Sequence, residues 1–141
     1  MVPEINWWAV VVATVSTMVV GSIWYAPKVF GSRWERLAKI ESPANASVAI
    51  GVTLLVSLLT SWVLAGASAI AWYFYGGSFF TNAVVTAVIL WAGLTAARFI
   101  THDAFENRPW RLTLMNVAHE LVTFLVIAVI IGAFGIDSPA A

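Results

Sequence analysis

Residues 6–25 read NWWAVVVATVSTMVVGSIWY, and this stretch decides which solvent the chain folds in. It holds no charged side chain over a length that matches the ~20 helical residues needed to cross roughly 30 Å of hydrocarbon. Trp7 and Trp8 stand at one end, Trp24 and Tyr25 at the other, two aromatic belts about 25 Å apart at ~1.5 Å per residue. That spacing fits one bilayer crossing. A helix is required for it, because backbone N–H and C=O groups in lipid must find partners within the segment. Met1-Val2-Pro3-Glu4 lacks the basic start of a signal peptide, so the span is expected to be retained.

Three further segments match. The second runs from about Ser47 to Tyr75, after Ser42-Pro43 as cap and first-turn proline, and ends in Trp72-Tyr73-Phe74-Tyr75. It exceeds a perpendicular crossing, so it must tilt, project or break, with Gly66 the weak point. The third runs from about Phe79 to Ile100 after the turn Gly76-Gly77-Ser78, and the fourth from about Trp110 to Phe134, with Asn107, Arg108 and Pro109 as its start signals. Ser138-Pro139-Ala140-Ala141 reads as a solvated tail. Residues 1–141 are thus expected to form one all-α domain, an integral membrane four-helix bundle. Composition agrees: 61% hydrophobic and 10% charged residues lie outside the soluble range of about a quarter charged.

Zero net charge and the lack of a basic block exclude a nucleic-acid partner. With no cysteine there is no disulfide, thiolate nucleophile or cysteine-based metal site. Phosphate-binding glycine loops and nucleophile elbows are missing too. No metal and no cofactor is expected; the expected partners are the lipid bilayer and further copies of the chain.

The basic residues orient the spans, since lysine and arginine in short loops are retained in the cytoplasm. Lys28, Arg33, Arg36 and Lys39 follow the first span, while Arg98, Arg108 and Arg111 flank the loop between the third and fourth. All seven predict the same topology, with both termini on the non-cytoplasmic side. In the first loop, Phe30, Trp34 and Leu37 recur at helical spacing opposite these charges, which predicts a short interfacial helix over 28–40 on the inner leaflet. Phe30–Leu37 and Phe105–Leu112 share Phe, Arg, Trp, Arg and Leu in order with a one-residue slip. Duplication of a helical hairpin and chance similarity in a short window both account for it.

The pattern Gly21-x-x-Trp24-Tyr25-x-Pro27-x-x-Phe30-Gly31-x-x-Trp34, followed by Phe105-Glu106-x-Arg108 and Asn116, resembles a family of small bacterial membrane proteins known only as a domain of unknown function. The resemblance implies a four-helix membrane architecture in a bacterial inner membrane and brings no activity or catalytic residue. Where the family commonly has an aromatic residue shortly after the asparagine, this chain has His119-Glu120.

Ionisable residues inside a span are expensive and are functional candidates by default. Glu120 lies about 12 Å along the helix from Leu112 at ~1.5 Å per residue. Its neighbour His119 points about 100° away on an ideal helix, so the two need not share a site. Thr113, Asn116, Glu120 and Thr123 form one stripe of the fourth helix, and Thr14, Thr17, Gly21 and Trp24 a similar stripe on the first. Thr86, Gly93 and Ala97 form a small-residue seam on the third. Arg98 either snorkels outward or turns toward Glu120. His102, Asp103, Glu106 and Arg108 form a possible polar cluster at the inner face, with a spacing that fits no metal motif. Three functions follow: an oligomeric accessory or scaffold element, the leading expectation; a subunit of a proton-coupled or small-solute transporter or channel using Glu120; and a membrane enzyme using His102, Asp103, Glu106 or His119 at the inner face.

Overall fold

The computed structural model describes residues 3–40 and 45–137. Its helices are α1 Trp7–Trp24, α2 Ser32–Ala38, α3 Ala46–Tyr75, α4 Phe79–Leu90, α5 Ala97–Phe105 and α6 Trp110–Phe134. A π-helical turn, Pro27–Gly31, leads into α2, and a π-helical segment, Trp91–Ala96, joins α4 to α5 without a break. Four helices are therefore long and apolar enough to cross a membrane: α1, α3, the joined Phe79–Phe105 and α6. They pack as an all-α, integral membrane bundle in which α6 touches each of the other three.

The core shows how lipid-solvated helices adhere. Ala9, Val10 and Ala13 of α1, Leu64 and Ala65 of α3, Ala83 and Ala87 of α4, and Ile127, Ala128 and Ile131 of α6 are buried together. Alanine dominates because no hydrophobic force draws helices together in lipid; close backbone approach and dispersion do so instead. Outward-facing Val15, Leu55, Ile89 and Val129 are correspondingly exposed, as lipid contact requires.

Several boundaries differ from the sequence reading. The cap of α3 is Asn45, whose side chain accepts from Val48 N at 3.2 Å; Ser42 and Pro43 lie outside the described residues. The helix passes Gly66 unbroken, and its 30 residues measure about 45 Å, which rules out the break and leaves tilt or projection to take up the excess over the hydrocarbon. The third span continues to Phe105, which puts His102 and Asp103 on its last turns rather than in a loop. Asn107 does not cap α6: it takes φ 54° in the turn, and Pro109 occupies the cap position without a side-chain bond. The Thr86-Gly93-Ala97 seam is not the packed face, since Gly93 and Ala97 are exposed while Ala83, Ala87 and Ala96 are buried. The reason is the π-helical segment at 91–96, whose wider turn resets the 3.6-residue phase.

The turn Gly76-Gly77-Ser78 forms as expected: both glycines have φ above 60°, the left-handed region that only glycine enters freely, and Ser78 Oγ accepts from Thr81 N. At the same end, Asn6 caps α1 through Ala9 N and donates to Gly135 O at 3.3 Å, tying the two ends of the chain together.

Candidate functional site

The family-like motif folds into a hook. Ala26 is extended (ψ 140°), as a residue before proline must be, and Pro27 opens the π-helical turn that brings the chain back. Gly31 N donates to Ala26 O at 3.0 Å. The hook stacks Phe30 on Trp24, with ring centroids 4.5 Å apart, and Trp34 edge-on to Tyr25 at 5.4 Å. Trp34 Nε1 then donates to Asn116 Oδ1 at 3.0 Å. The face of α2 that the sequence assigned to the inner leaflet is thus half-buried, Trp34 on α6, while Lys28, Arg33, Arg36 and Lys39 point outward. Asn116→Leu is expected to leave the indole N–H without an acceptor and to lower stability by about 1–3 kcal/mol, read as a fall in the thermal midpoint in detergent.

The hook holds His119. Its ring lies 4.9 Å from the Tyr25 ring and 5.7 Å from that of Trp24, and a Cβ at Gly21 would come within 4.0 Å of Nε2. Nδ1 sits 3.5 Å from Glu120 Oε1. Although adjacent residues diverge on a helix, the longer glutamate side chain folds back beside the imidazole, so the two share a site after all. His119 Nε2 and Trp24 Nε1 are buried with no hydrogen-bond partner among the described residues.

This pair lines a cleft of about 570 Å³ between α1, α3 and α6. Thr17, Gly21 and Tyr25 form one wall, Thr53, Ser57 and Thr60 a second, and His119, Glu120 and Thr123 the third. The cleft exists because α3 packs only along its second half. Residues 46–56 are all exposed, whereas Ser57, Ser61, Leu64, Ala65, Ser68 and Ala69 are buried. Among the described residues, no lysine or arginine lines it. The hydroxyls of α3 escaped the sequence reading. Their signal was the 4-3 spacing of Thr53, Ser57 and Thr60, one face of an otherwise apolar helix.

The other predicted residues divide among separate places. Thr113, Asn116, Glu120 and Thr123 do lie along one side of α6 but meet different neighbours. Thr113 Oγ1 donates to Asp103 Oδ2 at 2.6 Å, Asn116 accepts from Trp34, Glu120 faces the cleft, and Thr123 Oγ1 donates to its own helix at His119 O. Thr14 and Thr17 are buried on α1 and likewise bond to their own helix, at Val10 O and Thr14 O. Asp103 is buried, with Arg108 Nε 3.8 Å from Oδ1, and Arg108 also binds Glu106. That cluster is a latch between α5 and α6, and His102, exposed on α5, takes no part in it. Arg98 is exposed and makes no ion pair with Glu120. Phe30–Leu37 and Phe105–Leu112 differ locally, the first lying in the hook and the second spanning a helix end, a turn and a helix start. Trp91, unremarked in the sequence, donates from Nε1 to Val117 O at 3.0 Å, bridging the π-helical segment to α6. Among the described residues, no three His, Asp or Glu side chains come together in a way that could hold a metal ion.

No curated protein and no solved structure matches this chain. A family model does, over residues 8–132, which takes in the hook, the cleft and the latch. With four helices able to cross a membrane and a match over nearly its whole length, the chain belongs to the family described as "Protein of unknown function (DUF1761)".

Proposed function

We propose that the protein is a subunit of a proton-coupled or small-solute carrier of the bacterial inner membrane, acting through Glu120 in the cleft. The observation that carries this reading is the placement of the His119–Glu120 pair, 3.5 Å apart, on the wall of that cleft. A charge at mid-span is costly, on the order of 2.5–3.5 kcal/mol by insertion scales, and such residues mark substrate and proton routes. In a pure scaffold each polar group would serve packing. Thr113, Asn116 and Asp103 fit that description, since each is bonded across to another helix or to the hook. Glu120 does not: its side chain is 30% exposed, and the ionisable group beside it is an imidazole on the same helix. The enzyme reading draws less support, because the latch uses Asp103, Glu106 and Arg108 among themselves and leaves His102 apart.

In this proposal the termini lie outside the cytoplasm, and the cleft opens in the cytoplasmic half of the bilayer. The test is flux into vesicles reconstituted with purified protein. Glu120→Gln, near-isosteric, is expected to abolish a proton or solute flux while the variant elutes and melts like the unmodified protein. Flux that is unchanged by the substitution would eliminate the reading, as would unmodified protein that moves nothing above protein-free vesicles.

A further inference from the structure

The cleft, taken as the ligand site just proposed, has a composition that narrows what enters it. Its volume of about 570 Å³ falls within the roughly 300–1,000 Å³ of small-molecule sites. Much of the lining is apolar, Met18, Ile50, Val52 and Val56 among it. Because the first three turns of α3 stand away from the bundle, the way in is sideways from lipid as well as from the basic end. An occupant arriving by that route must itself partition into a bilayer, so it carries an apolar body.

Charge selects further. Glu120 is the only carboxylate lining the cleft, and no lysine or arginine faces it there among the described residues. An anion would meet a like charge with no counter-charge. A strongly polar neutral solute would leave its hydroxyls against the apolar wall. A cation pairs with Glu120 and can lie on the Tyr25 ring. The groups that face Glu120 are Tyr25 from α1, His119 from its own helix, and the hydroxyls of Thr53, Ser57 and Thr60 from α3.

We infer that the cleft binds an amphipathic organic cation through the carboxylate of Glu120, the two forming a neutral pair beside the Tyr25 ring.

Tetraphenylphosphonium serves as the probe, with neutral triphenylphosphine oxide as its control. Purified full-length protein in detergent near neutral pH is titrated with each, following binding by calorimetry. The expected result is saturable phosphonium binding, none for the neutral control, and at least about tenfold weaker phosphonium binding for Glu120→Gln. Glu120→Asp, which keeps the carboxyl group, is expected to bind phosphonium more tightly than Glu120→Gln, which separates loss of the charge from misfolding. Equal binding of the neutral control, or phosphonium binding that Glu120→Gln leaves unchanged, overturns the inference. Absence of phosphonium binding alongside a Glu120-dependent flux of another solute overturns the ligand class and leaves the carrier reading standing. Absence of both overturns the two together.

Discussion

Gly31→Ala is expected to undock the hook from the bundle and to cost about 2–4 kcal/mol, the upper range for forcing atoms into packed structure. The residue's own backbone is ordinary, with φ −55° and ψ −54°, so conformational freedom is not what requires glycine. Close approach is. A Cβ there would overlap the Tyr25 carbonyl oxygen and stand 2.9 Å from the Tyr25 carbonyl carbon and 3.0 Å from that of Ala26. These are backbone atoms of the same tight turn, so no rotamer change relieves the clash. The turn would open, and with it the Phe30–Trp24 stack and the Trp34–Asn116 bond. Two measurements check this: a thermal midpoint in detergent lower by at least roughly 5 °C, and faster tryptic cleavage after Arg33 and Arg36, which the undocked segment presents. A variant that melts and resists trypsin like the unmodified protein refutes the packing account of the hook.

Gly132→Ala is expected to pry α6 from α4 at the opposite end. A Cβ at Gly132 would meet Phe80 Cδ2 at 2.8 Å and Phe80 Cα at 3.0 Å. The ring can rotate away but the Cα cannot, so the helices must part by a few tenths of an ångström. In a bundle held by close approach of small residues, that separation loosens the Ile127–Ile131 contacts with Ala83 and Ala87. The expected loss is about 1–3 kcal/mol. Gly51→Ala and Gly93→Ala form the built-in control. Nothing lies within 4 Å of a Cβ at either position, and alanine in a helix gains up to about 1 kcal/mol over glycine. Equal thermal midpoints for Gly132→Ala and Gly51→Ala would contradict this.

The four spans were legible because each carries its own signal. Trp7, Trp8, Trp24 and Tyr25 mark two interfaces within one segment, and Gly76-Gly77 can hardly be anything but a turn. Boundaries set by longer contacts were less legible. The third helix runs on through His102 and Asp103, where Asp103 is held by Thr113 of α6 and by Arg108 of the intervening turn, which a hydropathy profile does not register. The Thr86-Gly93-Ala97 seam failed for a related reason. A π-helical segment between these residues shifts the phase, and its stabilising bond, Trp91 to Val117 O, joins positions 26 residues apart in sequence.

The candidate site divides in the same way. Glu120 stood out unaided as a carboxyl inside a span, whereas its pairing with His119 required the ring to be fixed by Tyr25 and Trp24, themselves fixed by the hook. The α3 wall of the cleft could be seen only once the packing of that helix was known to begin at Ser57.

The sequence by itself determined the solvent, the number of crossings and the gathering of basic residues at one end. Each follows from the transfer energy of side chains summed along a single helix, a local quantity that lipid enforces. The tertiary structure decided which faces meet, where α3 departs from its neighbours, and that the acid on α6 has an imidazole beside it and an open space before it. In lipid almost any apolar face is acceptable outward, so hydropathy does not choose the inward one. That choice falls to close approach at small residues such as Gly31, Ala83 and Gly132, and to a few hydrogen bonds between segments far apart in the chain.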